Sequence, residues 1–376
     1  MENRFIPVNE PNISKSDIDY AYDAVKSGFW SGTSGKYIKE FENKFSKFVG
    51  TRFGVSCSNG TVALQLAVRA LDIKGGDEVI CPAFTNIASI LCVVYEGAKP
   101  VLVDSRKDTW CMDEERIEER ITSKTKAIIP VHIYGHPCKM DKIMKLAERH
   151  DLKVIEDAAE AHGAEYKGKR AGSFGDINCF SFYSTKIIQT GEGGMCLTND
   201  PKMAEKLQSL KGLAYGSTNT TRFVHKDLGY NFRLPNISAA IGCAQMLKID
   251  GTIRKRREMA DYYSKGLKGV VGLQLPVEMP WAKNVYWVYG IVVDEKRFGM
   301  GRDMLMEKLL KRGIDTRPFF TSMSLQPAFH RVGLFEKDRM PVSEWLGRNG
   351  LYLPSSSKLT KSQMDYVIRT IKELVV

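Results

Sequence analysis

Nowhere in the 376 residues do eighteen apolar side chains follow one another, and the opening MENRFIPVNEP has no basic stretch leading into an apolar one. Neither a membrane-spanning helix nor a secretory leader is expected, and the expected location is the cytoplasm. Low-complexity tracts and repeats of solenoid period are also missing, which argues against a disordered chain or a repeat array. Cysteine pairing is absent too. Cys57, Cys81, Cys92, Cys111, Cys138, Cys179, Cys196 and Cys243 include no CxxC pair. Several lie inside apolar runs, so they read as small buried hydrophobes in a reducing compartment, and neither disulfides nor a metal site are expected. Acidic residues are the minority: 55 Lys and Arg against 44 Asp and Glu give a formal net charge of +11. Nucleic-acid binding would need that excess on one face with a helix-turn-helix, finger or stacking motif. The basic residues are instead dispersed among acidic ones, which leaves a solvated surface or a pocket for a polyphosphate ligand.

What is present is ordinary globular material, 43% hydrophobic and 26% charged, in a chain long enough for one large and one smaller domain. Between residues 53 and 198 the runs FGVSC, EVICP, PVLVD, AIIPVH, LKVIED, NCFSF and GMCLT are continuous and apolar, the pattern of strands covered on both faces. Segments of helical spacing, such as TVALQLAVRALD and MDKIMKLAERHD, separate them. The alternation predicts an α/β fold with a large, mostly parallel, seven-stranded sheet, and ligands of such sheets bind where strands end. Residues 1–235 are assigned to an N-terminal segment and this large domain, with helices near 15–27 and 36–48. A long connecting helix is expected over 236–268, and a smaller C-terminal α/β domain over 269–376.

Four features fall at strand ends. In CSNGTVAL, residues 57–64, Gly60 and Thr61 open a helix whose free N–H groups suit an anion. Asp157 ends the apolar strand of LKVIED, where a buried carboxylate asks for a cation such as a protonated pyridine nitrogen. Lys186 follows the strand carrying Phe180 and Phe182, in surroundings that favour a neutral, nucleophilic amine. The glycines of TGEGGM, residues 190–195, let a strand begin directly after the lysine loop. Each has a plain structural alternative: a helix cap for the first two, a snorkelling surface lysine for the third. Together they describe a site for pyridoxal 5′-phosphate, with the turn at the phosphate, Asp157 at the ring nitrogen and Lys186 at the aldehyde.

The stretch EDAAEAHGAEYKGKRAGSFGDINCFSFYSTKIIQTGEGGM, with LGYNFRLPNISAAIGCAQ, resembles the DegT/DnrJ/StrS family of nucleotide-sugar aminotransferases, and within it the GDP-perosamine synthases. The likeness continues through IPVNEP, VHIYGHPCKMDKI, TRPFF and LYLPSS. It implies a homodimer of the aspartate-aminotransferase fold (fold type I), with active sites shared at the subunit interface. It further implies that Gly60, Thr61 and Ser181 bind the phosphate, that Asn231 reaches it from the partner subunit, and that Glu160 lies near the ring hydroxyl. His162, Arg233, Arg317 and Phe319 would line the sugar or nucleotide pocket. After CPAFT the family has Tyr or Trp stacked on the ring, where this chain has Asn86; Phe84 and Tyr183 are the aromatic residues at hand to cover it.

The implied reaction is a two-stage transamination. L-Glutamate gives its amino group to the cofactor, and a nucleotide-linked 4-keto-6-deoxyhexose then receives it, in amino-sugar and surface-polysaccharide biosynthesis. Two alternatives stand beside it. Sugar dehydratases of the same family carry histidine at the position of Lys186, and non-catalytic, cofactor-binding regulators are known among its members.

Overall fold

The structure, a computed structural model, describes residues 5–216 and 218–375. Nine strands form in the first half of the chain: β1 (Phe53–Cys57), β2 (Glu78–Pro82), β3 (Lys99–Val103), β4 (Thr125–Ile128), β5 (Lys153–Asp157), β6 (Glu165–Tyr166), β7 (Lys169–Arg170), β8 (Ile177–Ser181) and β9 (Gly194–Thr198). Seven of them make one sheet in the order β1-β9-β8-β5-β4-β2-β3. All seven apolar runs read from the sequence lie in this sheet. β9 is antiparallel to both neighbours, and the other pairings are parallel. β4 stops earlier than the run AIIPVH suggests. Pro130 has no N–H to give the ladder, although Ile129 N–H still donates to Ile80 O (2.8 Å) and Asp157 N–H to Pro130 O (2.9 Å).

The helices of this half are α1 (Lys15–Lys26), α2 (Lys36–Val49), α3 (Gly60–Ala70), α4 (Ala88–Tyr95), α5 (Met140–Arg149) and α6 (Pro201–Lys211). α3 buries Ala63, Leu64, Leu66, Ala67, Val68 and Ala70, an apolar surface too wide for an ordinary amphipathic helix. It is covered by β8 and β9 on one side and by α4 and α6 on the other. Position 236 opens α7 (Asn236–Met246), followed by α8 (Ile249–Leu267). The single long helix expected here is thus two. The break falls at Leu247–Lys248, where Lys248 takes φ −122° and ψ 9° and its ammonium donates to Asn12 O (2.7 Å) and pairs with Asp17.

Beyond α8, β10 (Leu273–Gln274), β12 (Tyr289–Val293), β13 (Arg317–Pro318) and β14 (Gly350–Leu353) form an antiparallel sheet in the order β10-β12-β14-β13. β11 (Ala282–Lys283) instead joins β6 and β7. A large hydrophobic core surrounds the seven-stranded sheet, and a second holds Ile6, Met259, Tyr263, Leu267, Tyr289, Ile291, Leu351 and Ile371. The first fifty residues divide between them: α1 and α2 pack on α7, while Ile6 bridges Ile314 in the second core. No helix of the described residues is long and apolar enough to cross a membrane.

Candidate active site

β1, β5 and β8 run the same way, so Cys57, Asp157 and Ser181 reach one edge of the sheet together. A cavity of about 550 Å³ opens there. Of the residues expected to bind cofactor, Gly60, Thr61, Asn86, Asp157, Glu160, Ser181 and Lys186 all line it. Asn59, in extended conformation, caps α3 by accepting Val62 N–H on Oδ1 (3.0 Å), and this leaves the first turn of the helix facing the cavity. A Cβ on Gly60 would lie 2.6 Å from Cβ of Ser181. Only glycine allows the helix start and the end of β8 to converge this closely.

Asp157 is buried, and its carboxylate accepts Ser89 Oγ–H (2.8 Å) and Ala159 N–H (3.1 Å). Burial raises its pKa above the usual carboxylate range, opposed by those bonds and by the charge of Lys186. The neighbouring Glu156 has a different task. It accepts N–H groups of Gly172, Phe174 (2.8 Å) and Gly175 (3.3 Å), together with Nε2–H of buried His132 (2.6 Å). Cys138 N–H donates to Nδ1 of that histidine (3.0 Å), which fixes the tautomer. Glu156 thus fastens the loop ahead of β8, and Asp157 alone faces the cavity.

Lys186 sits in the connection from β8 to β9. Its ammonium lies 3.6 Å from the ring centroid of Trp287 and 3.9 Å from Oε1 of Glu160, and Trp287 Nε1–H donates to Thr185 O (2.9 Å). Burial lowers the lysine's pKa, while the carboxylates of Glu160 and Asp157 raise it. Glu160 is buried and accepts Tyr134 N–H (2.6 Å); burial raises its pKa against the pull of Lys186.

The four residues expected to line the sugar or nucleotide pocket do not border this cavity. His162 is fully buried among Phe45, Phe180 and Phe182, with ring centroids 5.3–6.0 Å away, and neither nitrogen has a hydrogen-bond partner. Burial lowers its pKa to about 3, so it is neutral. Glu160 and His162 share one turn after β5 but face opposite ways. Arg233 has a buried, unpartnered Nη1, and exposed Arg317 pairs with Asp315. Phe319 packs against Tyr134 (4.8 Å), Trp110 (5.0 Å) and Phe84 (5.7 Å), and it is Phe320 that reaches the cavity. Asn231 is exposed and lies outside its own chain's cavity. Asn86 turns Oδ1 to Ala88 N–H (3.0 Å), capping the start of α4. Of the two aromatic residues at hand to cover a ring, Tyr183 lines the cavity and Phe84 does not. Sequence reasoning missed Asn9, Trp287 and Tyr352, which also line it. Trp287 stands in the aromatic run YWVYG, where nothing in the pattern separates it from core residues.

The donor set suits pyridoxal 5′-phosphate. The first turn of α3 and Ser181 offer hydrogen bonds to a phosphate at one end, Asp157 offers an anion to a protonated ring nitrogen, and Lys186 offers an amine to an aldehyde.

The DegT/DnrJ/EryC1/StrS aminotransferase family matches residues 11–372. The chain is 41% identical over 370 residues to the GDP-perosamine synthase of Escherichia coli O157:H7, with 98% of both chains covered. To that of Caulobacter vibrioides it is 39% identical over 372 residues, covering 99% of this chain and 98% of the other. The crystal structure of DesV from S. venezuelae in complex with a ketimine intermediate superposes with a TM-score of 0.89 at 35% identity, over 96% of this chain and 94% of DesV. The chain therefore belongs to the DegT/DnrJ/EryC1/StrS aminotransferase family and is a sugar aminotransferase of fold type I that depends on pyridoxal 5′-phosphate.

Proposed function

We propose that the enzyme moves the amino group of L-glutamate to a GDP-linked 4-keto-6-deoxyhexose, and that it does so in the cytoplasm as a homodimer. The observation that carries the catalytic reading is Lys186, its side chain 10% exposed and held between Trp287 and Glu160 in the cavity that Asp157 and the start of α3 also line. The dehydratase alternative has histidine in place of this lysine. The GDP-perosamine synthases at 41% and 39% identity favour GDP as the nucleotide.

Pyridoxal phosphate supplies the aldehyde that carries the amino group and a ring that accepts electrons. In the proposed arrangement the N–H groups of Gly60 and Thr61 and the hydroxyl of Ser181 hold its phosphate. Asp157 keeps the proton on the ring nitrogen, and Glu160 lies near the ring hydroxyl. Nζ of Lys186 would take the proton from Cα of the bound glutamate, and in the second half-reaction it would deliver one to the sugar carbon that becomes the amine-bearing centre. Burial of Lys186 against the Trp287 ring lowers its pKa and favours the neutral amine, against the pull of Glu160 and Asp157.

The homodimer is supported by a groove beside the lysine loop. Ile13, Ile18 and Tyr22 are largely exposed there and border Ser184, Gln189 and Gly191. An apolar patch of this kind suits a second copy. The exposed Asn231 is proposed to complete the partner's phosphate site. All eight cysteines are buried free thiols, which suits a reducing cytoplasm.

The test is a panel of GDP-, dTDP- and UDP-linked 3-keto and 4-keto sugars offered with L-glutamate and read by mass spectrometry. Amination of the GDP-linked 4-keto sugar in preference to the rest is expected. Preference for another base or keto position overturns the substrate assignment, and no amination of any sugar overturns the catalytic one.

A further inference from the structure

The N-terminal residues form a strap along the cavity. Ile6 N–H donates to Gly313 O (2.8 Å), Asp315 N–H to Ile6 O (3.0 Å), and Ser355 N–H to Val8 O (2.8 Å). Val8 and Asn9 thereby become part of the cavity wall. Beneath them, in the middle of α8, lies the buried guanidinium of Arg256. Its Nη2–H donates to Oδ1 of Asn9 (3.2 Å) and its Nη1–H to the carbonyl of Trp287 (3.0 Å), while Nε–H has no partner. No carboxylate among the described residues offsets it, and burial draws its pKa down to about 10, so it remains charged at neutral pH.

A guanidinium has donors only, so the Asn9 amide can face it in just one way, with Oδ1 toward Arg256 and Nδ2 turned from it. Nδ2 makes no hydrogen bond among the described residues, yet Asn9 lines the cavity. A residue of this wall thus carries two N–H donors without a partner among the described residues. The same guanidinium grips Trp287, whose ring lies 3.6 Å from Nζ of Lys186. Asn9 is thus held in fixed register with the reacting nitrogen through one rigid group. The surrounding wall of Val8, Val288, Phe320, Tyr352 and Ser355 has no ionic side chain; the acids and the lysine lie elsewhere around the cavity. Arg256 lies behind this wall with its Nη donors turned to Asn9 and Trp287, and Arg317 stands across from Tyr352 in the sheet, so what the wall itself presents beside Asn9 is an uncharged amide, a donor that matches a neutral hydroxyl oxygen.

We propose that Asn9 binds a ring hydroxyl of the acceptor hexose and so helps to determine which sugar is accepted, with Arg256 as the residue that positions it. This rests on the reading of the acceptor as a keto hexose.

Asn9→Asp separates binding from fastening. The carboxylate keeps the shape and gives Arg256 a counter-charge, so the strap stays fastened, but the cavity loses its two N–H donors. The holoenzyme is assayed in two halves: the single-turnover loss of the cofactor's visible absorbance with L-glutamate, and amination of the GDP-linked 4-keto-6-deoxyhexose. The expected result is a KM for the sugar raised about tenfold or more, the scale of one or two hydrogen bonds. Tm should stand at or above the parent's, and the loss should fall on the sugar half-reaction. Arg256→Met, which frees the amide to turn, should also raise the KM for the sugar. An unchanged KM in Asn9→Asp overturns the proposal, as does an equal fall in both half-reactions. If the parent enzyme rejects the GDP-sugar, the substrate assignment has failed on its own, and the comparison is read on the keto sugar that the parent accepts.

Discussion

Replacing Asp157 by Asn should move stability and activity in opposite directions. In the apoprotein the carboxylate is buried, and burial holds its pKa above the value of 3.8 it has when exposed. The sign follows from linkage. A group whose folded pKa is raised contributes its stability in full below 3.8 and loses it as pH rises through the folded value. Ionised Asp157 is therefore a net cost to the apoprotein at neutral pH, and the amide removes it. The hydrogen bonds survive the change. Oδ1 can keep Ala159 N–H (3.1 Å), and Nδ2–H can donate to Ser89 Oγ (2.8 Å) once the serine proton turns to Thr85 Oγ1 (2.8 Å). Apo Asp157→Asn should melt at or above the parent's Tm at neutral pH, with the difference narrowing as pH falls toward 3.8. In the holoenzyme the sign reverses, because an amide cannot hold the ring nitrogen protonated. Loss of one well-placed electrostatic partner is worth about 2.7–4 kcal/mol, or about 10²–10³ in kcat. Calorimetry of apo and holo forms across pH, with steady-state kinetics, reads both halves. Turnover at the parental rate would refute the role of Asp157, and an apo Tm that falls with the holo Tm would refute the electrostatic argument.

Gly60→Ala places its Cβ 2.6 Å from Ser181 and should cost about 1–3 kcal/mol and weaken cofactor binding in equilibrium dialysis. Gly251→Ala, with open space at its Cβ, should stabilise α8 by up to about 1 kcal/mol and leave cofactor binding alone. Lys186→Ala should abolish the borohydride-trappable link to the cofactor; mixed with Asn231→Asp it should recover activity as subunits exchange, and no recovery despite exchange shown by mass would place Asn231 outside the partner's site. Asn86→Tyr gives up the cap on Ala88 N–H, for about 1 kcal/mol of stability, and should slow cofactor loss after glutamate treatment by about tenfold if about 1.4 kcal/mol of stacking is regained. Equal loss on dialysis would mean that the ring is already covered, with Tyr183 and Trp287 as the aromatic residues on the cavity wall.

The sheet and the cofactor end of the cavity were legible because both follow from local pattern. Apolar runs of strand length mark the strands, and Asp157 and Lys186 take their places from strand ends, while Ser181 is singled out only by the family resemblance. Residues in turns were not legible in the same way. No periodicity tells Glu160, facing the cavity, from His162, enclosed by three phenylalanines, or Phe320 from Phe319. The helix break at Leu247–Lys248 has no Gly or Pro to announce it; Lys248 is drawn to Asn12 and Asp17, more than 200 positions away. Asn9, Trp287 and Tyr352 come to the cavity from three distant parts of the chain, and only tertiary packing brings them there.

Helix α8 has a consequence for how the protein comes apart. Its first turns place Ile249 and Ile253 in the large core, and its later turns place Met259, Ala260, Tyr263 and Leu267 in the second. The 19 residues form one uninterrupted rod, so neither core can melt without stripping side chains from a helix that the other still needs. Heating should therefore give one cooperative heat-absorption peak for both cores. A substitution that loosens the second core, far from Lys186, should be felt as lost cofactor retention as readily as one beside the lysine itself.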